Sequence, residues 1–212
     1  MLTSYYTVKS SGVHEINIQK SRFIAYIRRA ETEEQAQSFI AEIKKKHWDA
    51  THNCSCYLIG EHDEIQKAND DGEPTGTAGI PMLEVLKKRQ LKDTVVVVTR
   101  YFGGIKLGAG GLIRAYSHAT SEGINATGVV RRDLMRVISI TIEYTLLGKI
   151  ENELRQTAYI IKEIEYLDQV TIHVYVPIEK EETFIDWITD LTNGQGQINK
   201  GNVEYLEVDV KR

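Results

Sequence analysis

Arg100-Tyr101-Phe102-Gly103-Gly104-Ile105-Lys106-Leu107-Gly108-Ala109-Gly110-Gly111 is the stretch on which the fold turns. Ahead of it stands an apolar β-branched run, Val95 to Val98, and behind it an apolar periodic segment that starts at Leu112. The order is buried strand, glycine loop, helix, with five glycines in the nine residues 103–111. Glycine tolerates positive φ and has no side chain, so such loops occur where backbone must come close to a ligand or to other backbone. Lys106 in the loop and Arg114 one turn into the helix add positive charge where free N–H groups already favour an anion. The alternative is a tight turn or bulge that holds no ligand. Two named phosphate loops are excluded. Gly103-x4-Gly108 is followed by Ala109-Gly110 rather than Lys-Ser/Thr, and Ile113 stands where a dinucleotide fingerprint needs its third glycine.

Working outward, Val13 to Ala30 reads as two strands around the polar turn Gln19-Lys20-Ser21-Arg22. Thr32-x-x-Gln35 is a capping box for a helix whose inner face is Ala36, Phe39, Ile40, Ile43 and His47. Strands follow at Asn53 to Gly60 and near Glu64 to Ala68, then an acidic, turn-rich loop, 69–79. Pro81 sits at a helix start with Met82, Leu83 and Leu86 as its inner stripe. With the helix from about Gly111 to Thr127, this makes an α/β arrangement.

From Arg136 the pattern restarts. Ile138, Ile140, Ile142 and Tyr144 alternate with polar residues, and helical stripes appear at Leu147, Ile150, Leu154 and at Phe184, Ile185, Ile188, Leu191. Strands are expected at Ile160 to Tyr166, at Val170 to Val176 and at Leu206 to Val210. The order βαββαβ is the ferredoxin-like split arrangement. The expected fold class is α+β with two domains, 1–133 and 134–212, joined by a short, stiff stretch near Thr127 to Met135.

The net charge of −4 conceals an asymmetry. Residues 137–212 carry seven Lys/Arg and fourteen Asp/Glu, leaving 19 cations and 16 anions for residues 1–136. An anion-binding role therefore belongs to the first part, and the acidic second part suits a protein partner or an orienting role. No apolar run reaches membrane-spanning length and the N-terminus has no signal-peptide core, so a cytoplasmic protein without membrane contact is expected.

Several residues invite chemistry. His52, Cys54 and Cys56 share a strand face with His47 nearby, but same-face neighbours about 6.6 Å apart cannot jointly ligate zinc at about 2.0–2.3 Å. Buried structural cysteines are expected, and no resident metal or cofactor. Asp70, Asp71 and Glu73 suit a magnesium ion beside a phosphate, or capping of the next helix, or pairing with Arg22, Arg100 or Arg114. Ser21 between Lys20 and Arg22 is a nucleophile candidate without a recognisable Ser-His-Asp order. The anion-recognising set is Lys20, Ser21, Arg22, His52, Arg100, Gly103, Gly104, Lys106, Gly108, Gly110 and Arg114, and the acidic and glycine loops are expected side by side.

A family resemblance adds to this reading. Gly79-Ile-Pro-Met-Leu and Val97-Val98-Thr99-Arg100-Tyr101-Phe102-Gly103-Gly104-x-x-Leu107-Gly108 look like the signature of the IMPACT family. Lys20-Ser21-Arg22-Phe23, Thr51-His52-Asn53-Cys54, Asp70-Asp71-Gly72-Glu73-Pro74 and Gly111-Leu112-Ile113-Arg114-Ala115-Tyr116 also fit, over about residues 15–125. The resemblance implies a first domain of the left-handed βαβ type, as in a small-subunit ribosomal protein, GHMP kinases and domain IV of the translocation elongation factor. The second domain would resemble that factor's domain V. Eukaryotic members regulate translation initiation by blocking activation of a stress kinase through its ribosome-associated activator. They use an N-terminal RWD domain that this sequence does not contain, so that partner is not carried over. The expectation is a non-catalytic protein that binds RNA on the ribosome, with a role in translation. The rival is an enzyme acting on a small phosphorylated metabolite or nucleotide, and a third reading is a pure protein-interaction module.

Overall fold

In the computed structural model, which describes residues 1–210, the Val95 to Val98 run is the middle of a sheet. Contacts divide the chain into two units: Tyr5–Arg131 with residues 208–210, and Met1–Ser4 with Arg132–Glu207. In the N-terminal unit, β2 (Gly12–Ile18), β3 (Ser21–Arg29), β4 (His52–Ile59), β5 (Ile65–Asn69) and β6 (Thr94–Tyr101) form a sheet of order β2-β3-β6-β4-β5. Every adjacent pair in it is antiparallel. β3 and β4 are therefore parallel to each other with β6 between them, joined by the crossing helix α1 (Glu33–Lys46).

Both faces of this sheet are covered. α1 buries Ala36, Phe39 and Ile43 against Tyr57, Ile59, Val95 and Val97. On the other face, α2 (Gly79–Lys88) and α3 (Gly108–Thr127) bury Met82, Leu86, Leu112, Tyr116 and Ile124 against Phe23, Ala25, Cys54, Cys56, Val96 and Val98. A strand buried on both faces loses alternation, which is why β6 reads as an unbroken apolar run. Thr32 caps α1 by accepting from the Gln35 N–H at 3.3 Å, and the Gln35 side chain accepts from the Glu31 N–H at 2.8 Å. Gln19 and Lys20 both take positive φ (45° and 66°), the geometry of a two-residue hairpin turn that matches strand twist.

The C-terminal unit has the order β7 (Val129–Ile142), α4 (Tyr144–Arg155), β8 (Ile160–Tyr166), β9 (Val170–Pro177), α5 (Glu181–Leu191), β10 (Gln197–Val210). β7 pairs β9, β9 pairs β8 and β10 pairs β7, giving β10-β7-β9-β8, the ferredoxin-like order. Its core is one-sided: Ile138, Ile140 and Ile142 of β7 and Val170, Ile172, Val174 and Val176 of β9 meet Ile150 and Leu154 of α4 and Phe184 and Ile188 of α5.

The structure adds one strand to the sequence expectations and corrects two of them. Ser4–Val8 is a strand, β1, beside β7; it is short, and its pairing partner lies more than a hundred residues away. The stretch 127–135 is no connector, since Gly128 at φ 86° ends α3 and β7 begins at the next residue and runs through the change of unit. The helix after the glycine loop begins at Gly108 rather than Gly111.

Candidate functional site

Register assembles the candidate residues at one end of the N-terminal sheet. Arg100 faces Phe23 of β3 on one side and His52 of β4 on the other, and Tyr101 faces Arg22. Strand alternation sends Arg100, His52, Cys54 and Ser21 to the α2/α3 side and Tyr101, Arg22 and Asn53 to the α1 side.

Arg100 is 5% exposed. Its Nη1 donates to Glu73 Oε1 at 2.6 Å, and its Nη2 to Ser21 Oγ at 3.5 Å. Glu73 is itself buried, and the Tyr116 hydroxyl donates to the same Oε1 at 2.7 Å. His52 Nε2 lies 3.7 Å from Glu73 Oε2, while its Nδ1 donates to the Asp71 carbonyl at 2.8 Å, which orients the ring. Burial, together with Cys54 and Glu73, pushes the Tyr116 hydroxyl far above its ordinary pKa, so it serves here as a hydrogen-bond donor. Burial likewise pushes the Cys54 and Cys56 thiols up, and the Cys54 thiol donates to the Asp70 carbonyl at 3.0 Å. These are inert, structural thiols.

The acidic loop is held by its own carboxylates. Asp70 accepts from Gly76 N (2.8 Å), Ala78 N (3.1 Å) and Gly79 N (2.8 Å), which ties the loop to the start of α2. Burial pushes its carboxyl up, but those three N–H groups outweigh burial and hold it below its ordinary value. Asp71 accepts from Lys44 Nζ at 2.6 Å and Asn53 N at 2.7 Å, with the same net downward result against burial. Among the described residues, the one group of acidic, histidine or cysteine side chains close enough to share a cation is Glu163, Glu165 and His173 in the C-terminal unit.

The glycine loop divides by function. A Cβ on Gly103 would stand 2.1 Å from the Lys20 carbonyl, so this glycine lets the loop approach the β2–β3 turn, and the Gly103 N–H donates to Ser21 Oγ at 3.2 Å. Gly104 (φ 87°) and Gly108 (φ 69°) face open space, and Gly110 meets only the Arg114 side chain at 3.5 Å. α3 has neither a side-chain cap nor an acid in its first turn. Its start borders a cavity of about 430 Å³ whose walls include His52, Glu73, Arg100, Phe102, Lys106 and Gly108.

Set against the sequence reading, two cations change role. Arg100 is not a free anion ligand, because Glu73 neutralises it inside the protein. Arg22 does not meet the acidic loop; it makes a bidentate pair with Glu15 on the adjoining strand (3.0 and 2.9 Å) and lies over the Tyr101 ring. Ser21 is fully buried as an acceptor, so it cannot present a nucleophile. Lys20, Lys106 and Arg114 are exposed and have no ion partner among the described residues. Tyr116 was read only as part of a motif, and its role depends on a carboxylate 43 residues earlier. Trp48 was missed altogether. It follows the three lysines at the end of α1 and is 83% exposed.

Comparison with known proteins bears on this site. Residues 19–124 match the Impact N-terminal domain, and residues 140–195 match a domain of unknown function, DUF1949. The chain is 62% identical over 207 residues to the IMPACT family member YvyE of Bacillus subtilis, covering 98% of this chain and 95% of that one. It is 34% identical over 183 residues to the IMPACT family member YigZ of Escherichia coli, covering 85% and 90%. Mouse Protein IMPACT is 35% identical over 98 residues, 44% of this chain and 30% of that protein. A crystal structure described only as that of a hypothetical protein aligns over 95% of this chain and 99% of its own, with TM-score 0.61 and 30% identity. Full-length similarity to bacterial relatives, with both domains matched, shows that the chain belongs to the IMPACT family.

Proposed function

We propose that the N-terminal unit binds RNA through its phosphates and that the protein acts in translation as a ribosome-associated, non-catalytic factor in the cytoplasm. The observation that carries this reading is the conjunction at the start of α3. An uncapped N-terminus with glycines facing open space borders the cavity; Lys106 lines it, Lys20 and Arg114 stand beside Gly103 and Gly110, and all three are exposed with no ion partner among the described residues. Exposed N–H groups at a helix start and unpaired cations are the ordinary ingredients of phosphate recognition. The contact set is Lys20, Lys106 and Arg114, with Arg22 available because an exposed pair to Glu15 contributes little and can exchange partners. Arg100, His52 and Glu73 shape the wall. Membership of a family whose eukaryotic members regulate translation supports the setting, and the acidic C-terminal half offers a surface for a protein partner rather than for RNA.

The rival reading, an enzyme for a small phosphorylated metabolite or nucleotide, draws on one observation, the cavity of about 430 Å³, which lies within the usual size of small-ligand sites. One experiment separates the two. The full chain is titrated with labelled RNA at several salt concentrations, and with a nucleoside monophosphate. RNA binding is expected to weaken with salt at a log–log slope of about −0.7 per phosphate contact on single strands, and Lys106→Ala with Arg114→Ala to flatten it by one to two contacts. Binding of the monophosphate alone, with none of RNA, would overturn the RNA reading in favour of the enzyme.

A further inference from the structure

Trp48 is the largest side chain on the surface that nothing in the fold explains. An 83% exposed tryptophan gains little burial in folding, yet the loop that carries it is firmly built. The preceding residue, His47, is held from both ring nitrogens: Nε2 lies 2.6 Å from the Tyr26 hydroxyl and Nδ1 2.8 Å from the Tyr101 hydroxyl. The Tyr101 hydroxyl donates to Asp49 at 3.1 Å, so it accepts from His47 Nδ1–H and leaves Nε2 to accept from Tyr26. The His47 carbonyl also accepts from Asn53 Nδ2 (3.1 Å) and Ala50 N (3.1 Å). Tryptophan is thus displayed from an anchored loop rather than from a loose one.

A second exposed aromatic, Phe102, stands at the same end of the sheet. It is 46% exposed, its N–H donates to Thr51 Oγ1 at 3.0 Å, and the Thr51 N–H donates to the Arg100 carbonyl at 3.0 Å, which binds the loop after β6 to the loop that carries Trp48. The rings of His47 and Tyr101, each one residue before these two aromatics, are 5.9 Å apart. Cations stand on the same segments: Lys45 and Lys46 end α1, with Lys46 over the Tyr26 ring; Arg22 lies over Tyr101; Lys20 abuts Gly103; and Lys106 shares a cavity wall with Phe102. Asp49 is the acid nearest in sequence, and Tyr101 engages it. Exposed rings on rigid backbone, interleaved with cations, are the features by which proteins hold unpaired bases, since stacking needs a free base face and phosphates need the charges. A duplex keeps its base faces inside and cannot use these rings.

We propose that Trp48 and Phe102 are stacking platforms for successive bases of a single-stranded nucleic acid, so that the chain selects single strands over duplex. The proposal rests on the RNA reading above and adds the strand state and the residues that read it. The chain has two tryptophans, Trp48 and Trp187, so Trp187→Phe leaves Trp48 as the sole tryptophan, read by exciting at the red edge where tyrosine does not absorb. The full chain with that substitution is titrated with an oligouridylate and with the same strand annealed to its complement. Expected are quenching of Trp48 on the single strand, weaker binding to the duplex, and a loss of roughly 5- to 150-fold in affinity for Trp48→Ala, with Trp48→Phe largely retaining it. Should Trp187→Phe impair folding, the difference between wild-type and Trp48→Ala emission supplies the same readout. RNA binding that leaves Trp48 unquenched, or that prefers duplex, overturns the platform and leaves the phosphate reading standing. Absence of binding to either probe overturns both.

Discussion

Strands β6 and β9 are both eight residues long and both rich in valine, yet the protein uses them differently. In β6 every residue from Thr94 to Arg100 is buried, because α1 covers one face of its sheet and α2 with α3 the other. In β9 burial alternates, with Val170, Ile172, Val174 and Val176 inside and Thr171, His173 and Tyr175 less buried. The consequence is where charge can sit. A β9 side chain on the other face stays half-buried beside polar neighbours: His173 Nδ1 lies 2.8 Å from Ser139 Oγ and its Nε2 3.5 Å from Glu165 Oε1, with Glu163 close by. A charged residue on β6 has no water to keep, and Arg100 exists only with a buried carboxylate supplied by another loop.

The sharpest way to break this contrast is to remove one partner of the buried pair. Glu73→Ala or Arg100→Ala should each cost about 3–5 kcal/mol of unfolding free energy in urea denaturation, since the remaining charge is stranded. Glu73→Leu with Arg100→Met together should recover a large part of that loss. If the singles cost no more than a surface substitution, Arg100 is not the internal residue described above. Next in size, Val97→Ala on β6 should cost about 2 kcal/mol, whereas Thr171→Ala on the other face of β9, which loses one hydrogen bond to the Thr141 hydroxyl, should cost about 1 kcal/mol. Equal costs would show that the two sheets are covered alike.

Asp70→Asn should cost about 1 kcal/mol, the usual scale for a capping carboxylate, and should also change the response to acid. Asp70 and Asp71 are held below their ordinary values, chiefly because backbone N–H groups and Lys44 outweigh burial. A depressed carboxylate adds stability above its unfolded pKa of about 3.9, and that stability is lost as pH falls through the lower folded value. Urea midpoints measured from pH 7 down to 3 should therefore fall less steeply in Asp70→Asn than in the parent. The smallest effect is expected at Glu163→Gln, where the melting curve should barely move because the side chain is exposed.

How much of this was legible depended on how local its cause was. The strand, glycine loop and helix around residues 95–127, the Thr32 cap and the βαββαβ order all rest on short-range patterns, and they were readable. β1 was not, because Ser4–Val8 has no long alternation and earns its place from pairing with β7. Arg100 was legible as important but not as neutralised, since nothing near it in sequence announces Glu73, 27 residues earlier. Gly103 read as a ligand contact and proved to be a backbone crossing over Lys20, a fact carried by the hairpin rather than by the loop. Trp48 escaped notice because a lone aromatic after a lysine run resembles the end of a helix face, and only exposure distinguishes it.

The order β2-β3-β6-β4-β5 also has a temporal side. The centre of the N-terminal sheet is the last of its strands to leave the ribosome, so β3 and β4 emerge with their inner edges unfilled. At about 5–20 residues per second, the chain between Ile59 and Tyr101 takes roughly 2–8 s to be made. Through that interval the nascent chain carries two open edges that any extended segment can join. Fast closure then depends on the same valines that were easiest to read, which makes Val95 to Val98 the stretch that ends a vulnerable stage of synthesis.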